Sequence, residues 1–190
     1  MWSATKEAYY QAIWRNDGYP VTLSHTKNTE KISSLVSKMD SFLMVGGPDI
    51  PAKTYNSKNP QLLDPDIMSN EREAFDRAIF LEAMNQNKKI LAVCAGAQHA
   101  NVILGGTLIE DIPTLIKNHV NHGVFNGAAS THAVNTTNKN SLLYKIIQKE
   151  SFNVKTKTIC CYPTESNFVK SHANLIKKTI QNIENKNFKL

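Results

Sequence analysis

Two patterns of apolar positions alternate along the first hundred residues: short continuous runs, and stretches where apolar side chains return every third or fourth residue. Tyr9, Ala12 and Ile13 keep helical spacing within residues 5–17, Gly18 stands as a C-terminal cap, and Pro20 leads into a short apolar strand, Val21 to Leu23. Ile32, Leu35, Val36 and Met39 predict an amphipathic helix over residues 30–39, and the run Phe42 to Val45 predicts a buried parallel strand. That run breaks at Gly46-Gly47-Pro48. A polar excursion follows to about Asn70, where Asn70 and Glu73 resemble a capping box opening a helix with Phe75, Ala78, Ile79 and Ala83 on one face. Ile90 to Val93 make another short buried strand, which stops at Cys94.

Helices alternating with short apolar strands predict an α/β fold: a three-layer, open, mostly parallel sheet with helices on both faces, flavodoxin-like in its layout. Beyond residue 112 the pattern loosens into a strand at Thr131 to Asn135, a short helix at Ser141 to Gln148 and an extended segment at Phe152 to Cys161. A last helix carries Phe168, His172, Leu175, Ile176, Ile180 and Ile183 along one stripe. At 190 residues without repeat, linker or low-complexity tract, one domain spanning 1–190 is the expectation.

Composition narrows the classes. Hydrophobic residues make up 41% of the chain but never approach a run of roughly 20, so no membrane span is expected. The N-terminal stretch lacks the basic start and apolar block of a secretory signal, and cytoplasmic residence follows. The net charge of +6 comes from scattered lysines and arginines with no basic block, which reads as solubility and not as a nucleic-acid footprint. Cys94, Cys160 and Cys161 make no disulfide framework, and the six histidines show no metal-ligand spacing; His119 and His122 form only a loose pair in an Asn/Gly-rich loop.

Cys94 falls where a strand ends and a helix begins, the edge at which open α/β sheets bind ligands. Ala92, Ala95 and Gly96 are all small, as a tight strand-nucleophile-helix turn requires. The stretch Ala92-Val93-Cys94-Ala95-Gly96 is thus a cysteine version of the nucleophile elbow. The following helix would aim its N-terminal amides at the sulfur, favouring thiolate, with the amide of Ala95 facing an oxyanion. A second oxyanion donor must come from another loop at the same edge, and Gly46-Gly47 is the candidate. The competing reading, commoner for an intracellular cysteine taken alone, is a small buried hydrophobe; the glycine pair alone could be just a turn.

GGPDIPAKTY at 46–55, EREAFDRAIFLEA at 71–83 and LAVCAGAQHANVILGGTLIEDI at 91–112 resemble successive signatures of the class I glutamine amidotransferase-like superfamily. Within it they are most similar to the gamma-glutamyl-gamma-aminobutyrate hydrolase family, over residues 5–148 and most specifically at Asn101 to Ile112. A PfpI-type peptidase or chaperone also uses a cysteine elbow, but GGPD and NVILGGTLIEDI fit that family poorly. The resemblance implies that Cys94 is the nucleophile attacking a gamma-glutamyl amide to give a thioester. It implies that Gly47 and Ala95 supply the oxyanion amides, with Gly46 beside the substrate. Gln98 matches a family glutamine next to the glutamyl pocket, an exposed or helix-packing role being the alternative. The partner implied is a small gamma-glutamyl compound, with a homodimer left open and no nucleic acid, membrane, cofactor or metal. The family usually has arginine at the position of Ala95 and glycine at that of Ala92, changes that spare both the nucleophile and the backbone amide.

Two departures bear on activity. Members of that family begin with a central strand before the first helix, and this chain starts almost at the helix. Members also take a general base from a His-Pro-Glu motif near the C-terminus, for which the nearest match is Tyr162-Pro163-Thr164-Glu165. Glu165 is the candidate motif glutamate. Tyrosine occupies the histidine position if the prolines align, and Pro163 occupies it if Glu165 aligns. Of the other histidines, His99 follows the elbow on a helix, His132 fits a strand and His172 fits a packed helical face. The sequence therefore supports a cysteine hydrolase of gamma-glutamyl amides with activity impaired or lost. Its rivals are a non-catalytic binding or scaffold protein and, more weakly, a glutaminase subunit feeding ammonia to a synthetase.

Overall fold

The computed structural model describes residues 5–119 continuously and, beyond them, residues 124–125, 128–135, 138–140, 144–145, 148 and 151–156. They fall in two compact units divided between Glu110 and Asp111.

In the first unit, helices α1 (Glu7–Trp14) and α2 (Ile32–Ser37) precede strand β1 (Ser41–Met44). Helix α3 (Asn70–Asn85), strand β2 (Lys89–Ala92) and helix α4 (Ala95–Ile103) follow. Strands β1 and β2 pair in parallel, Ser41 opposite Lys89 and Met44 opposite Ala92, and Val93 N–H extends the ladder to the Met44 carbonyl at 2.9 Å. The helical spacing seen in the sequence is a burial pattern. Ile32 and Val36 of α2, Phe42 of β1, and Phe75, Ile79 and Ala83 of α3 close into one apolar cluster, with Leu23, Leu35, Met39, Ala78 and Ile90 packed against it. Each fully buried large side chain here contributes about 1.5–3 kcal/mol.

Several local expectations shift. Val21 to Leu23 form no strand: Leu23 turns into the core, but Val21 stays exposed, and neither joins the β1 ladder. The residue that reverses the chain after α1 is Asp17, with φ of 58°, and not Gly18. Gly18 instead donates its N–H to the Ile13 carbonyl while Asp17 donates to Trp14, the paired bonds of a Schellman ending. At the start of α3 the cap is Ser69, one residue before Asn70, and its hydroxyl accepts from Arg72 N–H.

The excursion after β1 is packed, not merely polar. Two short 3₁₀ turns, Ala52–Thr54 and Pro60–Leu62, and a parallel bridge between Asp49 and Ile67 fold it back on itself. Ile50, Tyr55 and Met68 bury against Val102 of α4 and Leu108, a second apolar cluster that fixes the segment following Gly46-Gly47.

The second unit holds helix α5 (Ile112–Leu115), capped by Asp111 accepting from Thr114 N–H, and an antiparallel sheet. Its strands β3 (Val124–Phe125), β4 (Ala128–Asn135) and β5 (Ser151–Thr156) pair in the order β3-β4-β5. The strand expected at Thr131 to Asn135 is thus the end of β4, with His132 opposite Val154. Of the helix expected at Ser141 to Gln148, Tyr144 and Lys145 are helical among the described residues, and the extended segment from Phe152 is β5 as far as Thr156. Cys160, Cys161, Tyr162, Glu165, His172 and the last expected helix lie outside the described residues. No described helix is long and apolar enough to cross a membrane.

Candidate functional site

β1 and β2 run side by side, so both end at the same edge, the first in Gly46-Gly47 and the second in Cys94. Cys94 stands at the N-cap of α4 with φ of 53° and ψ of −121°, a region that a residue with a side chain enters only at a cost of order 1–3 kcal/mol. The sharp reversal is closed by Gly96 N–H donating to the Val93 carbonyl and by Ala97 and Gln98 donating to the Cys94 carbonyl, at 2.9 to 3.0 Å. It also demands Gly96. A Cβ there would overlap the Met44 carbonyl of β1, backbone that cannot swing aside.

The half-buried free thiol of Cys94 lies directly against the glycine turn. A Cβ placed on Gly46 would be 3.2 Å from Cys94 Cβ and 3.6 Å from its sulfur, so a side chain at Gly46 would crowd the cysteine. Gly46 is further tied to α1, donating its N–H to Tyr9 Oη at 3.2 Å. That amide is therefore engaged. Ala95, buried, begins α4, where helical geometry leaves the first N–H groups without intrahelical acceptors. Gln98 is half-buried one turn further along. Together these groups offer a sulfur at a strained turn, the start of a helix behind it and a side-chain-free loop in front. Such an arrangement suits attack on a planar carbonyl whose oxygen must be received by backbone N–H groups.

Beneath the glycine turn lies a polar cluster from α3 and α4. Arg72 donates from Nη2 to the carbonyls of Val45 and Gly46, at 3.4 and 3.3 Å, and from Nε to Asp76 Oδ2 at 3.2 Å. Burial pushes the Asp76 carboxyl up, against the opposing charge and hydrogen bond of Arg72. Next to it, His99 Nε2 donates to Glu73 Oε1 at 3.0 Å, and Arg77 Nη2 meets the same oxygen at 2.6 Å. His99 is 1% exposed, so its ring is directed into α3 and not offered to a ligand. The alternative base considered in the sequence is thereby a packed partner of Glu73.

Burial acts to raise the Glu73 carboxyl, but hydrogen bonds from His99 and Arg77 and the Arg77 charge outweigh it and hold the group below its ordinary value of 4.5. A depressed carboxylate stabilises the fold fully above that ordinary value and loses its contribution as pH falls through the depressed one. Among the described residues His99 Nδ1 has no partner, so Glu73→Ala would leave both ring nitrogens unsatisfied. The expected loss in chemical denaturation at pH 7 is about 1–3 kcal/mol, shrinking toward strongly acid pH. A Glu73→Ala protein as stable as the parent at pH 7 would remove this role.

The sequence placed Cys94, Gly46, Gly47 and Ala95 at one sheet edge, where the structure brings them together; Gln98, named from the resemblance, lies a turn into α4, and Glu165 is outside the described residues. Tyr9, Arg72 and Asp76 were not singled out. Tyr9 was read as one apolar position of a helix, and Arg72 and Asp76, spaced four apart with opposite charge, carried only the ordinary signal of a helix-surface ion pair. An open groove between α2 and α3, lined by Thr29, Ser33, Leu81 and Glu82, includes none of these residues.

A parallel pair ending in a glycine turn and a cysteine elbow, with helices packed on it, fits the class I glutamine amidotransferase-like fold. The chain belongs to the peptidase C26 family, whose profile matches residues 1–183. It is 33% identical over 146 residues to protein NtpR of Enterococcus hirae, covering 75% of this chain and 59% of that one. It is 33% identical over 117 residues to the glutamine amidotransferase-like protein RP404 of Rickettsia prowazekii, covering 61% and 40%. A homolog of the glutamine amidotransferase-like protein YvdE, from Lactococcus lactis subsp. cremoris, is 30% identical over 121 residues, covering 63% and 62%. The chain spans about half the length of the curated relatives it matches.

Proposed function

We propose that the protein is a cysteine-dependent hydrolase of gamma-glutamyl amide bonds, acting in the cytoplasm on a small gamma-glutamyl compound through a thioester at Cys94. The observation that carries this reading is the backbone of Cys94. A cysteine serving only as a small core hydrophobe has no use for a positive φ, whereas an elbow that presents sulfur at a sheet edge needs one. Membership in the peptidase C26 family, together with relatives described as glutamine amidotransferase-like, supports the coarser chemistry of a cysteine hydrolase or amidotransferase. The finer assignment to gamma-glutamyl-gamma-aminobutyrate hydrolases rests on GGPDIPAKTY and NVILGGTLIEDI.

In this mechanism the Cys94 sulfur adds to the amide carbonyl. The oxygen takes up charge before the amide N–H groups of Gly47 and Ala95, the carbon–nitrogen bond breaks as the amine leaves with the proton given up by the thiol, and water then cleaves the thioester to release the acid and restore the thiol. Gly46 has a steric part, because its own N–H is engaged by Tyr9 and its missing side chain leaves the sulfur room. Gln98 contacts the glutamyl group. If the prolines align, Tyr162 takes the place of the motif histidine and slows the last step; if Glu165 aligns with the motif glutamate, Pro163 takes that place and Glu165 has no histidine to orient. Loss of that histidine favours a second reading, in which the pocket binds its ligand without turnover.

The elbow is tested by alkylation. At neutral pH iodoacetamide should modify Cys94 well before Cys160 and Cys161, as read by peptide mass after short exposures. Equal labelling of all three thiols in the folded protein would sink the assignment of Cys94 as a nucleophile.

A further inference from the structure

The Gly46-Gly47 turn is gripped from two sides by side chains far away in sequence. Tyr9 Oη accepts from Gly46 N–H, while Arg72 Nη2 donates to the carbonyls of Val45 and Gly46. The carbonyl of Gly46 and the N–H of Gly47 belong to one peptide unit. Because a trans peptide is planar, with C=O and N–H pointing opposite ways, fixing the oxygen fixes the direction of the hydrogen. A cation on that oxygen also polarises the unit and strengthens its N–H as a donor.

The guanidinium has its own anchor. Its Nε binds Asp76 one turn further along α3, and its backbone N–H is held by the Ser69 cap, so both ends of the Arg72 residue are constrained. The space it occupies exists because residue 47 is glycine: a Cβ there would run into Nη1. Arg72 is only 22% exposed and Asp76 24%, which screens the pair less than a surface bridge.

We propose that Arg72, held by Asp76, is a positioning residue: it sets the orientation of the Gly46-Gly47 peptide so that Gly47 N–H points at the oxyanion formed on attack by Cys94. The inference rests on the nucleophile reading above but not on its substrate. Arg72 touches neither the sulfur nor the acyl group. It acts through the peptide it holds.

The test compares two reactions of the same sulfur. p-Nitrophenyl acetate acylates a thiolate through a tetrahedral oxyanion: the carbon–sulfur bond forms, the ester carbon–oxygen bond breaks and p-nitrophenolate leaves. Iodoacetamide alkylates it by displacing iodide, with no oxyanion at any stage. In Arg72→Met the p-nitrophenolate burst, corrected with a Cys94→Ser control, should slow by about 10²-fold, the scale of one lost oxyanion donor. Iodoacetamide modification of Cys94 should keep its rate. Arg72→Lys retains charge and stem but cannot hold Asp76 and the carbonyls with one planar fork, and it should slow the burst as well. An unchanged burst in either folded variant would overturn the proposal, as would equal slowing of both reactions, which marks a general support of the elbow. If gamma-glutamyl amides give no adduct while the acetate burst still depends on Arg72, the substrate reading fails and the positioning role stands.

Discussion

Tyr162→His should raise turnover of a gamma-glutamyl anilide by about 10²–10⁴-fold, the usual worth of a positioned general base. The argument runs through the second half of the reaction. A water molecule attacking the thioester must lose its proton to some group. An ordinary tyrosine, with pKa near ~10, cannot take that proton usefully at neutral pH. The parent protein should therefore release at most one equivalent of amine in a burst and then stall. Intact mass should show the acyl group trapped on Cys94. Rescue by Tyr162→His would align the prolines of Tyr162-Pro163 and the family motif. Vigorous turnover by the parent would refute the impaired base, and the substitute would have to be sought away from His99, whose Nε2 is committed to Glu73. Absence of burst, adduct and rescue would leave the binding-protein reading in possession of the site.

The succession α2, β1, α3, β2, α4 was legible because its apolar spacing reports burial directly: Ile32, Val36, Phe42, Phe75, Ile79 and Ala83, each placed by periodicity or run, meet in one cluster. The elbow was legible for a related reason. Steric demands at a tight turn leave small residues on either side of Cys94, and Gly96 is small because β1 backbone lies against it. Val21 to Leu23 misled because three apolar residues satisfy a strand pattern without supplying a ladder partner, a condition no local stretch contains. Ser69 and Asn70 are both competent caps, and only the hydroxyl geometry selects Ser69. Ile50, Tyr55 and Met68 have no shared period, so the packing of the excursion was invisible.

The contacts around Gly46 belong to the illegible part. Tyr9 and Arg72 reach it across 37 and 26 residues, respectively, and in neither case does composition mark the pair. Their meaning depends on parallel pairing of β1 with β2, which brings the glycine turn to the cysteine edge. The division of labour between the two glycines also comes from geometry. With Gly46 N–H engaged by Tyr9, Gly47 is the glycine whose N–H is free of any described backbone acceptor.

Gly47→Val should slow acylation of Cys94 by about 10²–10³-fold, roughly 2.7–4 kcal/mol in activation free energy, while the protein still folds. Two effects act together. The new Cβ would collide with Arg72 Nη1, so the guanidinium must leave its place beneath the turn, and the β-branched side chain narrows the backbone choices of the turn itself. Either change turns the 46–47 peptide away from the oxyanion. Folding should survive because the displaced group is the tip of a flexible side chain and because residue 47 is exposed, outside both apolar clusters. Thermal unfolding should therefore shift little while the p-nitrophenolate burst slows, and iodoacetamide should still find the sulfur. Gly96→Val provides the contrast, since its Cβ meets the Met44 carbonyl and the elbow itself must deform. A folded Gly47→Val protein that acylates at the parent rate would show that the oxyanion is received elsewhere, and that the glycine turn serves only to leave Cys94 room.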